Sequence, residues 1–354
     1  MEGRGGVYKN QKQRLIHYEQ EGMDRKLSKL KKDEKLKMVD LEHKLKQNFN
    51  GELRFNEPMS EHTSLKIGGP VEVMAFPEDP LSLRNILFVA NEEGLAVHVF
   101  GGGTNLLVSD KGIKGLAISL KAFGSIEAVH SRTSSTTEST DEETEEQDVT
   151  LFVGSGVPLV KLINYARKNG YSGLEALTGI PGLMGGAVYM NAGSFGTEMK
   201  DVIVSVAIMS KEGHLIILEK DKLDFSYRKS GLPDDSLILS ANISLKKDDP
   251  EAIEKRTKEY MAKKKDTQPL GGLSAGCIFM NPEGDYAGRL IDKAGCKGMK
   301  QGNLEVSNVH ANYIINKGGA SCSDFIKLMK SVREKVRQSS GITLEPEIYI
   351  VGEV

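Results

Sequence analysis

The sequence predicts an α/β fold of two or three domains, and three observations carry that expectation. Leu83 to Gly94 has helical spacing with a terminal glycine, and it leads into the short apolar strand Ala96-Val-His-Val-Phe100. That strand runs straight into a glycine cluster, Gly101-Gly-Gly-Thr-Asn-Leu-Leu107, which places the cluster at a strand's carboxyl end, a usual address for ligands in α/β sheets. Further on, a strand over Val149–Val153 and a helix over Val157–Gly170 precede a second glycine-rich stretch, Gly179 to Gly193. A chain of 354 residues has ample length for more than one core.

Taken in order, residues 1–48 are a charged extension in which isolated leucines sit among Lys, Arg, Glu and Asp. They read as a loose amphipathic helix or a disordered arm, a solvated appendage rather than a nucleic-acid or membrane contact. Folded sequence begins near Phe49. Residues 130–148 are a low-complexity acidic insert with too little apolar content to fold. Strands are expected at Val202–Ile208, His214–Leu218 and Asp235–Leu245, and a charged helix at Pro250–Lys265 marks a domain boundary. Helices at Tyr286–Ala294 and Ser323–Ser339 flank a strand over Asn312–Asn316, and Glu347–Val351 reads as a closing strand.

Composition excludes several classes. Net charge is −2, so nothing global points to nucleic acid or an anionic membrane surface. No apolar run approaches a membrane span and no signal-peptide core is present, so membrane insertion is not expected. Three cysteines without metal-ligand spacing argue for no metal and for a reducing cytoplasm.

Gly179-Ile-Pro-Gly-Leu-Met-Gly-Gly-Ala-Val-Tyr-Met-Asn-Ala-Gly193 packs five glycines and one proline among small and apolar residues. Glycine at this density lets backbone approach a ligand closely. Two such loops, offering backbone N–H groups with Thr104 and Asn105, suit a large anionic cofactor. Neither reads GxGxxG or GxxxxGK[ST]. Plain tight turns rarely need so many glycines.

Seven segments resemble one family in order and spacing, the UDP-N-acetylenolpyruvoylglucosamine reductases (MurB). They are Thr63–Gly69, Gly101–Leu107, Gly173–Gly193, Phe225-Ser-Tyr-Arg228, Ser274–Pro282, Val309–Asn316 and Leu344-Glu-Pro-Glu347. The resemblance implies a three-domain α/β (α+β) architecture, with FAD-binding domains of the vanillyl-alcohol-oxidase type and a substrate-binding domain. On this chain the parts would be 49–118 with 341–354, then 119–248, then 249–340. Only 49 positions (277 minus 228) separate Arg228 from Cys277, which leaves no room for one subgroup's tyrosine-bearing loop and indicates the shorter, type II form.

The implied chemistry is reduction of UDP-N-acetylglucosamine enolpyruvate by a monomeric enzyme using FAD and NADPH. Hydride passes from the flavin to C3 and an acid protonates C2. Arg228 matches the arginine that holds carboxylate and enolate. Glu347 matches the second electrophilic residue, with Glu345 two positions away and expected on the same strand face. Cys277 stands where the pattern commonly has serine as proton donor, and a thiol is a far stronger acid than an alkyl hydroxyl. The bland reading of Cys277 is a small buried hydrophobe. FAD contacts would come from Gly101, Gly102, Gly103, Thr104, Asn105 and Leu106 in the first loop and from Gly154 and Gly156 after the Val149–Val153 strand. In the second loop they would come from Gly179, Ile180, Pro181, Gly182, Gly185, Gly186, Asn191 and Gly193. Tyr227, Lys265, Asn281 and Asn312 match substrate contacts, with Lys263, Lys264 and Lys265 open as the diphosphate ligand. Rival readings are another FAD oxidoreductase of this fold and a non-catalytic flavin-binding protein.

Overall fold

The computed structural model describes residues 39–129 and 148–353. The expectations for the first 38 residues and for most of the acidic insert lie outside them. The chain divides into two units, Met1–Phe49 and Asn50–Val354. In the first, residues 39–46 are helical.

The second unit opens with a four-stranded sheet in the order Gly51–Pro58, Pro70–Pro77, Ile113–Ser119, Val97–Phe100. The first pair is antiparallel and the other two pairings are parallel. The helix Pro80–Glu92 starts where local chemistry favours it: Asp79 accepts from the Ser82 N–H at 2.8 Å, and Pro80 takes the first helical position, where no N–H is needed. Leu83, Ile86, Leu87 and Ala90 form its buried stripe, and Gly94 leaves it in the left-handed region. The chain then enters Val97–Phe100 and delivers residues 101–105 at that strand's end, as the sequence predicts.

A larger sheet follows in the order Leu215–Glu219, Ile203–Met209, Leu237–Lys247, Asp148–Gly154, Ile126–Val129, with Tyr171–Ser172 on the far end of Leu237–Lys247. The strands flanking the acidic insert are antiparallel neighbours, with Val129 opposite Thr150. The amphipathic helix Leu159–Lys168 buries Leu159, Leu162, Ile163 and Ala166 in a core that also contains Met184 and Val188 of the second glycine loop.

Beyond the charged helix Pro250–Thr267, a small sheet (Lys300–Gln301, Leu304–Val306, Ile314–Asn316) packs with the helices Ala287–Lys293 and Cys322–Ser340. Their core also takes in Leu65, Ile67 and Leu107, so the Thr63–Gly69 segment is bound to the C-terminal part. Asn316 Nδ2 donates to the Leu65 carbonyl at 2.8 Å, and Ser64 Oγ donates to the Ser274 carbonyl at 2.6 Å. The closing strand is Tyr349–Val351, parallel to Leu106–Val108. It starts two residues later than the sequence suggests, because Glu347 N–H is drawn to the Ile278 carbonyl instead. Among the described residues no helix is long and apolar enough to cross a membrane.

Candidate active site

The two glycine loops face one another. A Cβ on Gly102 would lie 3.1 Å from the Gly182 Cα, and one on Gly101 would lie 3.7 Å from Gly186. Thr104 Oγ1 ties the loops together by donating to the Pro181 carbonyl at 3.3 Å. Gly103 is obligatory: its φ is +62°, and a Cβ would meet the His62 carbonyl at 1.9 Å. At the third turn, Cβ atoms on Gly154 and Gly156 would strike the carbonyls of Phe123 and Leu120. Between them, the buried Ser155 Oγ has no hydrogen-bond partner. Gly103, Gly154 and Gly156 thus admit no side chain, and the buried Ser155 hydroxyl beside them is unsatisfied. These residues fit an extended, polar cofactor such as FAD.

Two of the expected contacts are also tied into the protein itself. Asn191 is fully buried, and its side-chain amide donates to Glu198 and the Ser226 carbonyl and accepts from Lys200 N–H. Gly193 sits in a small hairpin, where a Cβ would strike Glu198 and Thr197. Asn191 nevertheless matters to the site, because Ser226 begins the turn that presents Arg228.

In that turn Ser226 and Lys229 exchange backbone hydrogen bonds, and Arg228 takes a φ of +61°, a conformation costly for a side chain of its size. The turn puts Arg228 Nε 2.7 Å from Glu347 Oε1, with the guanidinium carbon 4.9 Å from the Tyr227 ring centre. Burial raises the Glu347 pKa, and the Arg228 charge offsets this only in part. Burial works against the Arg228 cation, yet Glu347 and Tyr227 hold its pKa above its ordinary value. Burial raises the Tyr227 hydroxyl, and Asn281 Oδ1 accepts from Ala287 N–H at 3.0 Å.

Glu345 and Glu347 do not share a face, contrary to the strand expectation. The backbone is irregular here: Met280 N–H donates to the Glu345 carbonyl, and Pro346 bridges Phe279. Glu345 points outward to Arg333 at 2.9 Å and is 60% exposed, whereas the Glu347 side chain is 13% exposed. Asn105 Nδ2 donates to the Glu347 carbonyl at 3.0 Å, so the first glycine loop touches the acid cluster directly.

Cys277 completes the cluster. Burial pushes its thiol up to about 12, Glu347 adds to the rise, and Arg228 opposes it. It therefore stays a thiol at neutral pH. Asn312, expected to meet substrate, is buried with its amide clamped on Phe279, accepting from its N–H at 3.0 Å and donating to its carbonyl at 2.7 Å. It fixes the irregular segment that follows Cys277. Tyr313, to which the sequence assigned no role, follows Asn312 in the chain, and burial and the neighbouring Cys277 raise its hydroxyl above its ordinary value.

Of the three lysines, Lys265 lies exposed at the helix end, while Lys264 is 2% exposed and has no ion-pair partner among the described residues. Its stem packs on Gly179, and burial lowers its pKa to about 8. Lys264 lies 11 residues (264 minus 253) from Ile253, the helix's other buried residue, close to three full turns. That periodicity was the available signal.

Fold and site define an FAD-binding α/β oxidoreductase. Residues 71–219 match a family profile described as FAD binding domain, and residues 268–351 one described as UDP-N-acetylenolpyruvoylglucosamine reductase, C-terminal domain. The UDP-N-acetylenolpyruvoylglucosamine reductase of Geotalea uraniireducens is 39% identical over 313 residues, covering 88% of this chain and 98% of that protein. That of Caldanaerobacter subterraneus is 38% identical over 304 residues, covering 86% and 95%. The crystal structure of the Thermus caldophilus reductase aligns with a TM-score of 0.70 at 31% identity, covering 86% of this chain and all of that one. The chain belongs to the UDP-N-acetylenolpyruvoylglucosamine reductase family.

Proposed function

We propose that this protein reduces UDP-N-acetylglucosamine enolpyruvate to UDP-N-acetylmuramate, a peptidoglycan precursor, as a cytoplasmic monomer using NADPH. The observation that carries the reading is the convergence of Arg228, Glu347 and Cys277 beside the paired glycine loops. Bound FAD would supply the hydride, drawn from NADPH, to C3 of the enolpyruvyl group. Segments 49–118 with 341–354 and 119–248 would hold it, with 249–340 on the substrate side.

The chain's own residues account for the rest. Arg228 holds the substrate carboxylate and stabilises the negative charge that develops on it as the enolate forms. Glu347, already raised by burial, can take up a proton when that carboxylate displaces it from Arg228. Cys277 delivers the proton to C2: its S–H bond breaks, the C–H bond forms and the electron pair stays on sulfur. Lys264, a buried cation with no carboxylate partner among the described residues, suits the diphosphate better than exposed Lys265. Tyr227 and Asn281 form the polar rim beside Arg228.

Purified protein should oxidise NADPH only when UDP-N-acetylglucosamine enolpyruvate is present, and should yield the lactyl ether. A flavin-containing protein that leaves both compounds unchanged would remove this assignment.

A further inference from the structure

The hairpin that follows the second glycine loop carries an unexpected residue at its tip. Ser194 and Thr197 pair across it, which leaves Phe195 and Gly196 as a two-residue turn. Both lie in the left-handed region, with φ of +52° and +86°. Such a turn favours Asn-Gly, because a bulky side chain in that conformation is strained. Burial does not offset the strain, since Phe195 is 44% exposed. Neither the turn nor the core accounts for a phenyl ring here.

Its neighbours do. The Phe195 ring centre lies 5.1 Å from that of Tyr260, with the planes 29° apart, so the two stack between the hairpin and the helix Pro250–Thr267. Lys264 stands four residues beyond Tyr260 on the same helix face and brings its Nζ to 5.9 Å from the Phe195 ring centre. This is the buried lysine whose stem packs on Gly179. An exposed aromatic surface and a buried cation therefore stand side by side at the edge of the second glycine loop.

We propose that the Phe195–Tyr260 pair is the platform on which the substrate's uracil rests, with the diphosphate beside it on Lys264. The inference rests on the reading of the protein as a reductase of a UDP-sugar. A pyrimidine base offers a flat π-face that stacks on aromatic side chains, and one ribose separates it from the first phosphate. A nucleoside diphosphate thus requires an aromatic surface and an anion site next to each other. Covering the ring on binding gives the strained turn its purpose: the strain is borne by the free protein, and the stack forms only with nucleotide bound. NADPH also joins a base to a diphosphate, and the measurements below separate the two.

On this account the fold and the ligand want different residues at position 195, so one substitution moves them in opposite directions. In the FAD-loaded protein, Phe195→Asn installs the residue the turn prefers, and Tm should hold or rise. The Kd for UDP, read by calorimetry, should meanwhile rise roughly 10-fold, as expected for loss of a base–aromatic stack. Phe195→Tyr keeps the ring and should hold that Kd within about twofold. In turnover, Phe195→Asn should raise KM for UDP-N-acetylglucosamine enolpyruvate by a similar factor and leave KM for NADPH within about twofold. A lower Tm in Phe195→Asn would mean that the ring serves the fold and would overturn the proposal. So would an unchanged Kd for UDP, or a rise in KM for NADPH in place of the substrate's. Wild-type protein that neither binds UDP nor turns over would instead remove the functional reading, and the platform with it.

Discussion

The site has two walls built in opposite ways. The glycine wall, formed by the loops at 101–105 and 179–186, is mostly backbone, and its tightest positions are defined by the absence of a Cβ. The acid wall of Arg228, Glu347, Cys277 and Tyr313 is made of side chains, and burial acts on the pKa of every member. The first kind of wall gives shape and donors that do not titrate. The second stores reactivity, because a buried ionisable group responds strongly to its neighbours. A flavoenzyme of this kind needs one wall to hold a large cofactor still and another to manage one proton and one developing charge.

The sharpest way to break this contrast is at Arg228. Arg228→Ala should lower kcat by on the order of 10²–10³, the loss expected for one donor to a developing oxyanion. Its flavin content should match wild type, as read from the absorbance spectrum. Loss of flavin would mean that the two walls are not separable.

Next comes the lysine pair. Lys264→Met should raise KM for the nucleotide substrate about 10- to 100-fold, as expected for a charged hydrogen bond, while Lys265→Met should leave it within about twofold. The reverse order would restore Lys265 as the ligand.

A smaller effect is expected on the glycine wall. No atom lies within 4 Å of a Cβ on Gly186, so Gly186→Val should fold with nearly unchanged Tm. The added methyls would project into cofactor space, weakening FAD retention by roughly tenfold in equilibrium dialysis. Unchanged affinity would move the cofactor away from this loop.

The smallest effect is a predicted flatness. With Cys277 pushed up to about 12, the donor form persists well past neutrality. Thiol ionisation should therefore contribute no descending limb to kcat from roughly pH 7 to pH 9. A limb that Cys277→Ser abolishes would show that the thiol titrates lower.

How much of this was legible follows the same division. Backbone features leave local traces: Asp79-Pro80 before an apolar helical stripe gives the helix Pro80–Glu92, and glycine density marks the loops. Arg228, Cys277 and Glu347 were readable through motif resemblance, and the fold brings them together. Burial left weaker traces. Nothing adjacent in sequence distinguishes Lys264 from Lys265, and only the 11-residue spacing to Ile253 identifies the buried face. Asn191 reads as a ligand contact, and nothing local in the sequence reveals its three protein partners. Glu345 and Glu347 look equivalent on an ideal strand, but the strand begins only at Tyr349.

The central claim is that Cys277 serves the acid wall alone, and separating the half-reactions of Cys277→Ala tests it most directly. The account predicts that NADPH reduces its flavin at the wild-type rate, while UDP-N-acetylglucosamine enolpyruvate reoxidises it roughly 10²- to 10⁴-fold more slowly, the range expected for loss of a positioned acid. Cys277→Ser should recover much of that rate. Reoxidation of the alanine variant at the wild-type rate would contradict the account and return Cys277 to the role of a buried filler.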